Sequence, residues 1–221
     1  MPIQIVNENA VIAARSFNPS IFTQLWLIKN GILQEADFTE QTMFSPVAVD
    51  LRTSKFHLLL IPERLQLTFS RDAINKELIL SQVALAIVNK LPHTPYVALG
   101  YNIRAVFTSK NNGDCASRTK ELLLGANNPF SNLFSEQDAR YGFYCSKDFL
   151  GVRLKLDLKP SFEVDQNGNK TEFLVFDFNC HQDLREENKV AQINSFLATW
   201  TEVEKYCMEI MQVFEKKWNS L

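Results

Sequence analysis

The densest run of reactive side chains in this 221-residue sequence is Asp177, Asn179, Cys180, His181 and Asp183. A cysteine next to a histidine can furnish a thiolate nucleophile, and a nearby carboxylate can orient the imidazole. Position along the chain argues against that chemistry. Successive side chains of a strand point to opposite faces, so Cys180 and His181 do not reach each other. Cys180 then reads as core, His181 as a polar strand end, and Asp183 as part of the turn into the next helix. A zinc centre would have to draw on Cys145, Cys180, His181, Cys207 and His57, none of which stand at zinc-ligand spacing. No phosphate-binding glycine loop, nucleophile elbow or paired-histidine metal motif is present, and Gly100 and Gly142 stand alone within strands. The sequence therefore implies no catalytic residue, no metal and no cofactor, and points to a non-enzymatic binding protein.

The elements that carry these residues follow from periodicity. Val190, Ile193, Leu197, Trp200, Cys207, Met211, Phe214 and Trp218 recur at three- and four-residue steps, which predicts one amphipathic helix from about Glu187 to Trp218. At 1.5 Å per residue it would run roughly 48 Å. Val203, Tyr206, Ile210 and Val213 widen its stripe enough to pair with a second chain as well as a sheet, the basis for expecting a homodimer through this helix. A second helix is predicted from an N-cap at Asp72 to Leu91, with Ile74, Leu78, Leu85, Val88 and Leu91 as its stripe and Pro92 as its stop. Shorter helices are expected from Asn18-Pro19 to before Gly31, and from Cys115 to Leu124 with Gly125 ending it.

Strict alternation marks the strands. Val97, Leu99, Tyr101, Ile103, Ala105 and Phe107 oppose Asn102 and Arg104; Leu150, Val152, Leu154, Leu156 and Leu158 oppose Arg153, Lys155, Asp157 and Lys159. Val47 to Thr53, Phe56 to Ile61, Leu65 to Phe69, Tyr141 to Ser146 and Glu172 to Cys180 read similarly, with Asn167-Gly168 as a turn, and a first strand lies between Ile3 and Arg15. In order, the elements run strand, short helix, three strands, long helix over residues 1–95, and the same again over 96–221. Ser54-Lys55-Phe56 before a run ending at Pro62, and Ser146-Lys147-Asp148-Phe149 before a run ending at Pro160, echo one another. The order resembles the duplicated saddle of the TATA-box-binding protein fold. That resemblance implies an α+β chain whose two repeats form one curved antiparallel sheet with helices packed on one face. Proteins of this fold do unrelated jobs, and this sequence departs from the DNA-binding members in lacking a strongly basic face.

With helices on one side, alternation assigns the open face to Asp50, Arg52, His57, Gln66, Thr68, Asn102, Arg104, Tyr144, Arg153, Lys155, Asp157, Lys159, Asp177 and Asn179, with Phe173, Val175, Leu59 and Ile61 among them. Such a mixed surface suits a protein partner. The candidate contacts are Arg52, Asn102, Arg104, Tyr144, Arg153, Lys155, Lys159 and Phe173 on the sheet, and Phe130 and Phe134 in an Asn- and Ser-rich loop. The same cations, with Tyr144 and Phe173 stacking on bases, are the alternative nucleic-acid reading. Net charge is −2, from 23 basic and 25 acidic residues, and residues 1–95 carry eight of each, so no general field draws nucleic acid or anionic membrane. Cys115, Cys145, Cys180 and Cys207 lie far apart, which favours reduced thiols and a cytoplasmic location. The longest uncharged apolar run, Leu78 to Asn89, is too short for a membrane span. The expectation is an accessory or adaptor subunit of a multi-protein assembly.

Overall fold

The computed structural model describes residues 3–108, 115–124, 128, 130, 133, 134, 136, 139–185 and 187–220. Among them the strands are β1 (Gln4–Ala14), β2 (Met43–Phe44), β3 (Val49–Arg52), β4 (Phe56–Ile61), β5 (Arg64–Phe69), β6 (Tyr96–Phe107), β7 (Phe143–Phe149), β8 (Val152–Val164) and β9 (Lys170–Asp183). They form one antiparallel sheet in the order β2-β3-β4-β5-β1-β6-β9-β8-β7. The sheet is curved and unclosed. From the central β1–β6 pair, where Ala10 faces Tyr101, each half runs outward in descending chain order.

Alternation fixes the two faces. Ala10, Ile12, Leu51, Leu58, Leu67, Tyr101, Ile103, Leu154, Leu156, Phe176 and Phe178 are buried on one side, and their sequence neighbours face the other. Helices cover the buried side: α1 (Gln24–Lys29), α2 (76–90), α3 (Cys115–Leu124), α4 (Lys189–Leu197) and α5 (Trp200–Asn219). Much of the sequence's phenylalanine fills the layer between. Phe69 and Tyr101 pack on Trp200 with ring centroids 4.9 and 4.7 Å away, and Phe107 lies 5.3 Å from Trp218. Edge-to-face and offset pairs of this kind add specificity to the apolar burial.

The structure departs from the periodicity at five places. The long C-terminal helix is broken at residues 198–199 into α4 and α5. The carbonyl of Phe196 accepts from the Tyr101 hydroxyl at 2.7 Å and the Thr199 hydroxyl at 2.8 Å, so it leaves the regular ladder and the chain turns. α2 starts not at Asp72 but after Asn75, which holds φ +56°, and residues Leu80–Leu85 form a π-helical segment. The wider turn rotates the stripe: Ile79, Leu80, Val83, Ala84, Ile87 and Val88 are buried, while Ile74 and Leu78 are exposed. The helix expected from Asn18-Pro19 is a 3-10 turn, Pro19–Ile21, capped by Asn18, followed by α1 under a Thr23 cap. Leu150 lies not in β8 but, with Gly151, in the two-residue turn before it; their φ values are +50° and +76°. A two-residue hairpin connection of this type needs both residues left-handed. Finally, β2 is an added strand that two residues were too short to announce. The expected stop at Gly125, residues 109–114 and most of the Ala126 to Glu136 loop lie outside the described residues.

Candidate functional site

The open face is built on a row of residues that runs across eight strands. Register aligns Arg52, His57, Thr68, Asn9, Asn102, Asn179, Lys155 and Ser146, every one polar. At the centre the amides interlock: Asn102 donates to the Asn9 side-chain oxygen and Asn179 donates to that of Asn102, each at 2.8 Å. Asn9 is itself buried. An amide ladder satisfies polar groups half-withdrawn from water without fixing any charge.

Charges flank the ladder, and almost all are paired. Arg104 grips Asp177 with two hydrogen bonds, 2.5 and 2.9 Å. Lys159 lies 2.7 Å from Asp157, Arg153 lies 3.1 Å from Asp148 and 2.8 Å from the Ser146 hydroxyl, and Arg52 lies 3.2 Å from Asp50. The Arg52 hydrogen bond, reinforced by His57 at 2.9 Å, holds the Asp50 carboxyl below the usual carboxylate range. Hydrogen bonding to Asp177 likewise raises Arg104, and to Asp157 raises Lys159. Among the described residues, Lys155 is the one cation of the predicted five with no carboxylate within 4 Å. Tyr144, 62% exposed, stands beside Asp157 at the outer end of the face.

Eight of the predicted contacts therefore share this face: Arg52, Asn102, Arg104, Tyr144, Arg153, Lys155, Lys159 and Phe173. Phe130 and Phe134 do not join them in the sheet. They are exposed on the segment between α3 and β7, where the Phe134 carbonyl accepts from the Tyr141 hydroxyl. Sequence reading missed Asn9 and Asp148. Asn9 could have been found by extending the alternation of Ala10 and Ile12 back along β1.

Cys180 and His181 point to opposite faces. His181 bonds Asp183 at 3.0 Å on the open side, and its hydrogen bond holds that carboxyl below its ordinary range. Cys180 is buried on the helix side, where its hydrogen bond to Cys207, together with burial, pushes the Cys207 thiol up and leaves it inert. Among the described residues, no group of three His, Cys, Asp or Glu is placed to hold a metal ion. No helix among them is long and apolar enough to cross a membrane.

The helix side holds a charge cluster that periodicity did not reveal. Glu8 of β1, only 7% exposed, receives the Lys76 ammonium at 2.5 Å, and the same ammonium meets Glu204 at 2.6 Å. Trp200 donates its indole N–H to the second Glu204 oxygen at 3.2 Å. Burial raises the Glu8 carboxyl above its ordinary value against the pull of Lys76. Burial pulls the ammonium down, but its hydrogen bonds to Glu204 and Glu8 outweigh that and raise it. Among the described residues, Glu8 Oε1 has no hydrogen-bond partner. An open cleft of about 610 Å³ between α2 and α5 reaches Lys76 and Glu204. On α5, Val203 is buried and Tyr206 and Ile210 pack against the core, so of the four residues that widen the stripe only Val213 is left exposed.

Compared with protein-family models and with curated proteins, the sequence matches none.

Proposed function

We propose that the protein is a non-enzymatic accessory or adaptor subunit that binds a protein partner across the open face of its sheet, and that it acts in the cytoplasm. The observation that carries this reading is the internal pairing of the face. Four of the five cations expected from the sequence already hold a carboxylate, and the centre of the face is a neutral amide ladder. A polyanion gains affinity by replacing counterions on unpaired Lys and Arg, and of these the face offers it Lys155 and, on β5, the exposed Arg64. A protein surface gains instead from preorganised amides, buried aromatic edges and Arg-carboxylate pairs held in place before binding.

The strand order, descending outward on both sides of the β1–β6 pair, supports reading residues 1–95 and 96–221 as repeats of a saddle similar to that of the TATA-box-binding protein. The face would then be the saddle's seat, put to use for a protein. Affinity capture from the native cells at low and high salt, with nuclease treatment, tests the function. A stoichiometric protein retained at both salt concentrations after nuclease is expected. Captured nucleic acid lost as salt rises would overturn the proposal.

A further inference from the structure

We propose that β7 is a self-pairing edge, through which two copies of this chain join antiparallel into one continuous sheet. β7 pairs with β8 along its whole length, from Phe143 opposite Leu158 to Phe149 opposite Val152, without a register shift. Among the described residues nothing pairs with its other side. A regular strand with one side unpaired leaves a row of backbone donors and acceptors that only another extended strand can satisfy in full. The opposite end of the sheet offers no such seat, because β2 is two residues long. β7 contains no proline and no bulge, and its one lysine, Lys147, is drawn back onto the Tyr206 hydroxyl at 2.9 Å.

The occupant follows from the strand's own sequence. Antiparallel pairing of β7 with itself over all seven residues places a two-fold axis at Ser146. Phe143 then faces Phe149 of the second copy, Tyr144 faces Asp148, and Cys145 faces Lys147. One lysine and one aspartate give the strand zero net charge, and this register sets neither against its like. Centring the axis on Lys147 or Asp148 would oppose two like charges, which destabilises cross-strand pairs. Phe143, 42% exposed, gains an aromatic partner, and Phe149 is already fixed by stacking on Tyr206 at 4.3 Å. Opposed residues of an antiparallel pair share a face, so the open faces of the two copies become one surface twice as wide. The join covers none of that face, and it stands or falls independently of the partner proposed above.

Sedimentation velocity of the full chain from about 1 µM upwards tests the proposal. The wild type is expected to form a concentration-dependent dimer. Ser146→Lys and Ser146→Glu, each placing like charges on the axis, are expected to weaken it at least tenfold, roughly the effect of one unfavourable charge pair. An equimolar mixture of the two variants should dimerise again. In a Cys145→Ser background, Ser146→Cys should cross-link copies, because directly opposed residues lie about 4.5–5.5 Å apart between Cα atoms. A monomeric wild type, a dimer indifferent to both charge variants, or variants that fail to rescue each other would overturn it.

Discussion

Removing the Lys76 ammonium should destabilise the fold more than any other single charge deletion, because two withdrawn carboxylates depend on it. In Lys76→Met the Glu8 and Glu204 oxygens, now 2.5 and 2.6 Å from the ammonium, lose their common cation. Glu8 would keep neither oxygen satisfied, since among the described residues Oε1 has no donor at the outset. Breaking a buried pair by deleting one partner costs about 3–5 kcal/mol. In a chain of this size that corresponds to a melting temperature lower by roughly 6–20 °C.

The cost should also depend on pH. Burial raises the folded-state Glu8 carboxyl above its unfolded value of 4.5, and loss of Lys76 raises it further. A raised carboxyl binds its proton more tightly in the folded state. Its contribution is therefore fully present below pH 4.5 and is lost as pH rises through the folded value. Lys76→Met should thus fall away from wild type as pH rises from 5 to 8, and Glu8→Gln in the same chain should recover part of the loss at pH 8. Urea unfolding followed by the fluorescence of buried Trp200 and Trp218 reads all three proteins. A Lys76→Met loss below about 1 kcal/mol at both pH values, with no difference in pH slope, would show that neither carboxylate depends on the ammonium.

Other expectations are smaller. Leu150→Gly should stabilise by about 1 kcal/mol, because a branched residue at φ +50° carries a left-handed penalty that glycine avoids; thermal melts would show it. Tyr101→Phe should cost about 1 kcal/mol by removing a buried donor from the Phe196 carbonyl, read by urea unfolding. Arg104→Ala should change stability by no more than about 1 kcal/mol, since its pair with Asp177 is exposed on the Arg side, and added salt should shrink even that.

What the sequence reveals of this fold is set by the range of the interactions. Strand faces were legible because alternation is local: Leu99 to Phe107 on β6 and Val152 to Leu158 on β8 are buried as their period requires. The placement of the eight strand candidates on the open face was legible for the same reason. What was not legible depends on partners distant in the chain. The break between α4 and α5 needs the Tyr101 hydroxyl from β6, and the α2 stripe turns on a π-helical segment that no 3.6-residue period contains. The Glu8–Lys76–Glu204 cluster joins residues 68 and 128 positions apart. The pairing of Arg104 and Arg153 also escaped the sequence, because cross-strand and turn-spanning partners such as Asp177 and Asp148 are known only once the register is.

The most direct test of the open face is a paired capture with variants on its two sides. Asn179→Arg drives a long cation into the amide ladder, and Val213→Arg places the same side chain on the exposed flank of α5. The protein partner is expected to be lost from Asn179→Arg and kept by Val213→Arg, both proteins remaining folded. Retention by Asn179→Arg with loss from Val213→Arg would contradict this expectation and move the binding surface to the helices.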